Sequence, residues 1–292
     1  MKCVNEGMKC MKKILLQLDS DPKASVFDQV VAYDAGVDQI ISVNNVLPEE
    51  VESLVHGTIF TRGGDDLKNT AIFIGGSNVA EGEKLLKAVV KTFFGPFRVS
   101  VVLDSNGSNT TAVAAVRKIT QTVDVKDKKA FVLGGTGPVG LRAAVLLAKE
   151  GCQVGITSRN FTRAEEICQK IKADFGLDVL PFQASSAEDL SRILQEAEIV
   201  LATGGAGVNL LPGEVWTGLT KLQVLADINA VPPLGIAGIE LSDNGRNREG
   251  KLVFGAIAIG NLKMKIHKQC IEELFKQNNR ILDNAEIYQL EI

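Results

Sequence analysis

Gly135, Gly137 and Gly140 stand in the order G-x-G-x-x-G within FVLGGTGPVG, directly behind an apolar run. Glycines at that spacing let a backbone turn sharply and approach a charged group, and a following helix offers unpaired N–H groups to it. Thr136, Pro138 and Val139 complete the turn. The chemistry on offer is a grip on the pyrophosphate of a dinucleotide. A second polar group follows the next apolar run. In GITSRNFTRAEE, Ser158 and Arg159, with Arg163 beyond, hold the place where a carboxylate normally accepts hydrogen bonds from the adenosine ribose. A guanidinium there binds a 2′-phosphate through charge-assisted hydrogen bonds and a hydroxyl adds another, whereas a carboxylate would repel it. Together these residues predict NADP as cofactor, with NAD the weaker alternative.

A glycine triplet alone is a weak signal, and the elements around it give it meaning. AFVLG reads as a strand, Val139 to Lys149 as a helix, and CQVGIT as the next strand. From about Ala130 to Ala258 the apolar runs AFVLG, CQVGIT, LDVLPF, AEIVLATG, LQVLADI and LVFGAIAIG mostly alternate with helical patterns. That pattern predicts six mostly parallel strands covered on both faces. From Lys13 to Leu103 the runs KILLQL, DQIISV, TAIFIGG and FRVSVVL alternate with SVFDQVVAYDAG, PEEVESLVHG and NVAEGEKLLKAVVKTFF, a separate α/β unit. Ser108 to Thr122 reads as a connecting helix, and Leu262, Ile266, Cys270, Leu274 and Phe275 recur at the spacing of a terminal helix. The expected fold is α/β with two domains. An N-terminal α/β substrate domain covers residues 1–110, joined by C-terminal helices in 265–292, and a Rossmann-type doubly wound parallel sheet covers 111–264.

Composition narrows the function. The 292 residues carry 35 acidic against 32 basic side chains, a net charge of −3, so no basic field exists to draw in nucleic acid or anionic lipid. Five cysteines, Cys3, Cys10, Cys152, Cys168 and Cys270, are dispersed without C-x-x-C spacing. They predict neither a disulfide framework nor a metal site, and they fit a reducing cytoplasm. Gln17 and Asp19 interrupt the apolar stretch near the start before it reaches signal-peptide length, and Met1, Met8 and Met11 are all candidate starts. Ala130 to Ala148 holds four glycines, a proline and Arg142, so a buried strand-turn-helix accounts for it better than a membrane helix.

LDSNGSNTT, from Leu103 to Thr111, follows a strand and precedes a helix. It places several hydroxyl and amide groups at the carboxyl end of a parallel strand, where α/β sheets bind ligands, and helix capping would need only one of them. With SVFD, FTRGG, FFGPFRVS, GGTGPVG, NAVPPLGI and FGAIAIGNLKMKIH, it makes the chain from Lys12 onward resemble the NADP-dependent methylene-tetrahydromethanopterin dehydrogenases of methylotrophic bacteria.

That resemblance implies an enzyme that oxidises the methylene bridge of a reduced pterin carrier to a methenyl cation and passes hydride to NADP, in a cleft between two domains. It implies a homo-oligomer, trimer-based. Phe27, Asn106, Asn109 and Thr111 would line the pterin side, and Thr203, Gly204 and Asn229 would lie along the cofactor. Lys263 would face the pterin as a donor to a carbonyl oxygen. Each has a plainer reading: Phe27 as core, Asn229 as a shaper of the turn before Pro232 and Pro233, Lys263 as a solvated lysine. Lys263 reads as near a helix start, where the dipole disfavours a cation by roughly 0.3–1 kcal/mol. Neither His56 nor His267 sits in a pattern suggesting a base. Hydride loss from a carbon between two nitrogens needs none, because the lone pairs stabilise the cation, and positioning becomes the main task. Asn160 departs from the resemblance, standing where a lysine is expected after Arg159. This relaxes the preference for NADP unless Arg163 restores the charge. The competing readings are a methylene-tetrahydrofolate dehydrogenase, another NADP dehydrogenase of the shikimate or alanine type, and a non-catalytic NADP-binding module.

Overall fold

The computed structural model describes residues 11–291. Cys3, Cys10 and the candidate starts Met1 and Met8 lie outside the described residues. The chain divides into two compact units, one of residues through Gly107 together with Met264 onward, the other Ser108–Lys263.

The first unit begins β1 (Ile14–Leu18), α1 (Val26–Asp34), β2 (Gln39–Val43), α2 (Val51–Ile59), β3 (Thr70–Ile74), α3 (Val79–Thr92) and β4 (Ser100–Leu103). TAIFI and SVVL are buried at every position, as strands covered on both faces are. Ser25 caps α1 by accepting from the Asp28 N–H, and Asn78 caps α3 by accepting from Ala80 and Glu81. Leu16, Leu18, Ile72, Ile74, Val101 and Leu103 pack with Val51, Val55, Ile59, Leu85 and Val89 in one core.

The second unit runs α4 (Ser108–Thr120), β5 (Lys129–Leu133), α5 (Pro138–Lys149), β6 (Gln153–Ser158), α6 (Phe161–Phe175), β7 (Val179–Gln183), α7 (Ala187–Ile193), β8 (Ile199–Ala202), α8 (Gly213–Thr217), β9 (Val224–Asp227), β10 (Asn244–Arg248) and β11 (Lys251–Phe254). Its sheet order is β10-β11-β9-β8-β5-β6-β7, so the chain winds outward from β5 in one direction, returns, and winds out in the other. The turn after β5 therefore lies at the reversal of strand order, where doubly wound sheets bind ligands.

From the second unit α9 (Ala256–Leu274) leads into β12 (Ile281–Leu282) and α10 (Asn284–Tyr288). β12 adds to β4 in parallel and completes the first sheet in the order β12-β4-β3-β1-β2. Both units are thus α/β, with the Rossmann-type sheet in the second.

Three details differ from the sequence reading. The second sheet has seven strands, not six, because β10 pairs antiparallel with β11. NGRNR carries no apolar alternation, and a polar, charged edge strand of this kind blocks further pairing while hiding from hydropathy. The run LVFGAIAIG is strand only to Phe254, and α9 starts at Ala256. A Cβ on Gly255 would run into the Glu240 carbonyl oxygen, so only glycine fits at the junction, and a short apolar run cannot by itself distinguish strand from helix. Lys263 accordingly stands two turns inside α9 and not at its start, so the dipole penalty, confined to the first turn, does not apply.

Candidate active site

The glycine turn separates into three physical roles. Gly134, at φ 67°, makes the left-handed step out of β5. A Cβ on Gly135 would meet Ile156 Cβ at 2.7 Å and the Val132 carbonyl oxygen at 2.9 Å, so this glycine fits the turn against β6. A Cβ on Gly140 would meet Thr203 Oγ1 at 2.6 Å and Gly135 Cα at 2.7 Å, so α5 packs at backbone distance on the sheet. Gly137 is different. The nearest atom to a Cβ there is the Gly134 carbonyl oxygen at 3.7 Å, an ordinary contact. Gly137 is also the N-cap of α5, with Pro138 opening the helix and its missing N–H costing nothing. Among the described residues nothing excludes a Cβ at 137.

At the end of β6, Ser158 Oγ accepts from the Asn160 N–H at 3.2 Å and keeps its own proton to donate. The Arg159 carbonyl accepts from Gln183 Nε2 at 3.2 Å, which holds the backbone while the exposed guanidinium has no partner among the described residues. Asn160 caps α6 by accepting from the Arg163 N–H at 3.2 Å. A lysine could not do this, which gives the departure at 160 a local reason. Arg163 is exposed on the first turn of α6.

Thr203 follows β8 and donates its hydroxyl proton to the Leu133 carbonyl at 3.0 Å, tying the ends of β5 and β8 together. A Cβ on Gly204 would strike Leu210 Cδ1 at 2.6 Å. Asn229 shapes its turn as the plainer reading had it: Oδ1 accepts from the Val231 N–H at 3.0 Å and Nδ2 donates to the Pro233 carbonyl at 3.2 Å, around a cis Pro232–Pro233 bond. Sequence reading missed Asp227 at the end of β9. Its carboxylate accepts from the N–H groups of Asn229 at 2.9 Å and Ile236 at 3.0 Å and so organises this loop. Burial raises its pKa, opposed by hydrogen bonds from the Asn229, Ile236 and Gly235 backbone.

In the first unit the loops beyond the carboxyl ends of three strands are stitched together. Gly75 N–H donates to the Leu18 carbonyl at 2.9 Å, Asp104 N–H to Ile74 at 3.1 Å, and Asn106 N–H to Gly76 at 2.7 Å. Asp19 accepts from the Asp21 and Ser25 N–H groups, carrying the stitching into the cap of α1. Phe27, on the first turn of α1, is 51% exposed, so it is not core. Asn106 is exposed at φ 54°. Of the two residues on α4, Thr111 is half-buried, whereas Asn109 is buried and accepts from Arg142 Nε of α5. Lys263 is half-buried on α9.

His267, which the sequence left without a role, is fully buried with a carboxylate toward each ring nitrogen, Asp28 and Asp104. Cys152 and Cys168 are poor nucleophiles: burial pushes the first up to about 12 and the second to about 11. Among the described residues no group of three His, Cys, Asp or Glu side chains could hold a metal, and no helix is long and apolar enough to cross a membrane.

Residues 26–106 match the family described as methylene-tetrahydromethanopterin dehydrogenase, N-terminal. Over 283 residues, 96% of this chain and 98% of the relative, the sequence is 47% identical to the bifunctional protein MdtA of Methylorubrum extorquens. It is 33% identical over 291 residues, again 96% and 98%, to the NAD(P)-dependent methylenetetrahydromethanopterin dehydrogenase of the same organism. The chain belongs to the methylene-tetrahydromethanopterin dehydrogenase family. Residues 114–233 also match a second family model, described as shikimate / quinate 5-dehydrogenase. The fold extends further still: 5-ketofructose reductase from Gluconobacter superposes with a TM-score of 0.54 at 18% identity, over 96% of this chain and 98% of that one.

Proposed function

We propose that this dehydrogenase removes hydride from the methylene carbon of methylene-tetrahydromethanopterin and delivers it to NADP, leaving the methenyl cation. The near full-length identity to a relative named for this carrier supports the reading most directly. NADP, when bound, supplies the ring that accepts the hydride. The chain's own task is to bind and orient. In this reading the second unit holds the cofactor: the α5 N-terminus and Gly137 receive the pyrophosphate, and Ser158, Arg159 and Arg163 receive the 2′-phosphate. Gly135, Gly140, Thr203, Gly204 and Asn229 shape the turns that carry those contacts. The first unit holds the carrier, with the exposed Phe27 ring and Asn106 against it, and Thr111 and Lys263, of the second unit, are assigned to the carrier by the family resemblance. Asn109, buried with its Oδ1 accepting from Arg142 Nε, ties α4 to α5. No side chain is asked to take a proton, since a hydride leaves and the carrier nitrogens stabilise the cation.

The deciding assay is NADPH formation, followed by absorbance, with methylene-tetrahydromethanopterin and with methylene-tetrahydrofolate side by side, each with NADP and NAD. Faster turnover of the methanopterin carrier with NADP is expected. Preference for folate would move the protein to the competing carrier. Tight NADP binding without turnover of either would make it a binding module.

A further inference from the structure

A cavity of about 340 Å³ lies in the first unit between α2 and the sheet, toward the amino ends of β1 and β3. The loops that the carrier reading uses stand at the opposite, carboxyl ends of the strands, so this cavity is no part of that site. Strand register builds its floor. Ile14 pairs with Thr70 and Leu16 with Ile41, and alternation along the strands turns these four side chains to the α2 face. Leu54, Gly57 and Thr58, at helical spacing on α2, form the facing wall. Because β2 is an edge strand the cavity opens sideways, and Ile41 is 49% exposed there.

Two features suit it to a ligand from outside. Gly57 sits within α2, where glycine weakens a helix, yet a Cβ on it would meet no atom within 4 Å. No close packing demands glycine there, and its missing side chain leaves the cavity open. The polar groups on offer are uncommitted as well. Arg62 Nη1 donates to the Asn69 carbonyl at 2.6 Å, which fixes the half-buried guanidinium at the wall, and no carboxylate pairs with it among the described residues. Thr70, the next residue after that carbonyl, is 5% exposed, and its hydroxyl makes no hydrogen bond among the described residues. Thr58, by contrast, donates back to the Val55 carbonyl at 2.7 Å.

The volume falls in the range of small-molecule sites, roughly 300–1,000 Å³, which combine apolar walls with a few polar groups. A guanidinium lacking a counter-charge recognises an oxyanion, and Arg62 is the one charged residue lining the cavity, so it balances a single negative charge. We propose that this cavity binds a small amphipathic monocarboxylate, its chain against Ile14, Leu16, Ile41 and Leu54 and its head group at Arg62 and Thr70.

Octanoate is the probe, with octyl phosphate and octan-1-ol beside it, and calorimetry on the whole chain reads binding without turnover of any pterin. Octanoate is expected to bind tightest of the three. Octyl phosphate binding as tightly overturns the carboxylate, and octanol binding as tightly overturns the role of Arg62. Gly57→Leu is expected to fill the cavity and abolish octanoate binding while the Tm holds or rises, since leucine suits a helix interior. Arg62→Gln, which leaves the apolar walls intact and serves if the first variant does not fold, is expected to weaken octanoate at least tenfold and octanol less than twofold. No saturable octanoate binding by the unaltered chain, or unchanged binding in either folded variant, overturns the proposal. So does a change in oligomeric state of Gly57→Leu on sedimentation, which would make the cavity a face between copies of the chain.

Discussion

Thr203 Oγ1 occupies the space a side chain on Gly140 would need, 2.6 Å from the position of its Cβ, while donating to the Leu133 carbonyl at 3.0 Å. The hydroxyl cannot withdraw without giving up a buried hydrogen bond, and the other close atoms, Gly135 Cα and C, are backbone. Gly140→Ala is therefore expected to push α5 off the sheet. Overpacking of this kind costs about 1–3 kcal/mol, and the displaced helix start should weaken NADP binding as well. Chemical denaturation and a cofactor titration on the same variant check both. Native stability with native affinity would remove the packing account of this glycine.

Gly137→Ala should separate the two effects. The backbone there, φ −81° and ψ 168°, suits alanine, and the chain leaves space for a methyl group. Loss of a glycine N-cap costs at most a few tenths to 1 kcal/mol, and reduced freedom of the unfolded chain returns about 0.4–1 kcal/mol. The Tm should barely move while NADP affinity falls at least tenfold. A variant that binds NADP normally would show that no phosphate approaches residue 137.

Legibility in the sequence followed the range of the interactions. The β5-turn-α5 unit is local, its glycines and its strand and helix patterns lie within 20 residues, and it could be read in full. β12 could not, because two residues become a strand only by pairing with Val101 and Val102, far away in sequence. The same holds in the site. Ser158 and Arg159 could be put forward because they follow a strand that hydropathy reveals, and their place at the end of β6 is what the structure shows. His267 could not, since its neighbours Asp28 and Asp104 arrive from distant segments, and neither could Asp227, whose N–H partners appear only once the proline loop has folded back.

No metal or flavin is expected to be needed. The proposed chemistry requires neither, and the chain carries a single dinucleotide turn. Activity should survive prolonged treatment with a strong chelator, and the purified protein should lack flavin absorbance. A rate lost to chelator and restored by a divalent ion would place a metal in the reaction.

Lys263→Ala tests the carrier side. With Lys263 two turns inside α9 and half-buried, no dipole argument bears on it, and its expected role is donation to a carbonyl oxygen of the carrier. A lost hydrogen bond from a charged group is worth about 1.5–3 kcal/mol, so kcat/KM for the carrier should drop tenfold or more with NADP affinity little changed. Lys263→Arg should recover part of the loss. Unaltered carrier kinetics in the alanine variant would return Lys263 to a solvated role.

In the proposed function Arg159 carries the choice between the two nicotinamide cofactors. Its backbone carbonyl is held by Gln183 Nε2 at 3.2 Å and by Ser185 Oγ at 3.5 Å, so the side chain can be removed without releasing the loop. Arg159→Ala is expected to raise the KM for NADP by about 1.5–3 kcal/mol, roughly tenfold to a hundredfold, and that for NAD hardly at all, because only NADP carries the group a guanidinium binds. The difference should shrink as salt rises, since the site is exposed and screened. Ser158→Asp should go further and favour NAD outright, by offering an acceptor to the ribose hydroxyls while repelling a phosphate. Asn160 sharpens the interpretation: occupied in capping α6, it contributes no charge, so Arg163 is the remaining cation of the segment. If Arg159→Ala weakened both cofactors equally, the phosphate would have to be read by Arg163. The double variant with Arg163→Ala would then be the one to lose the preference for NADP.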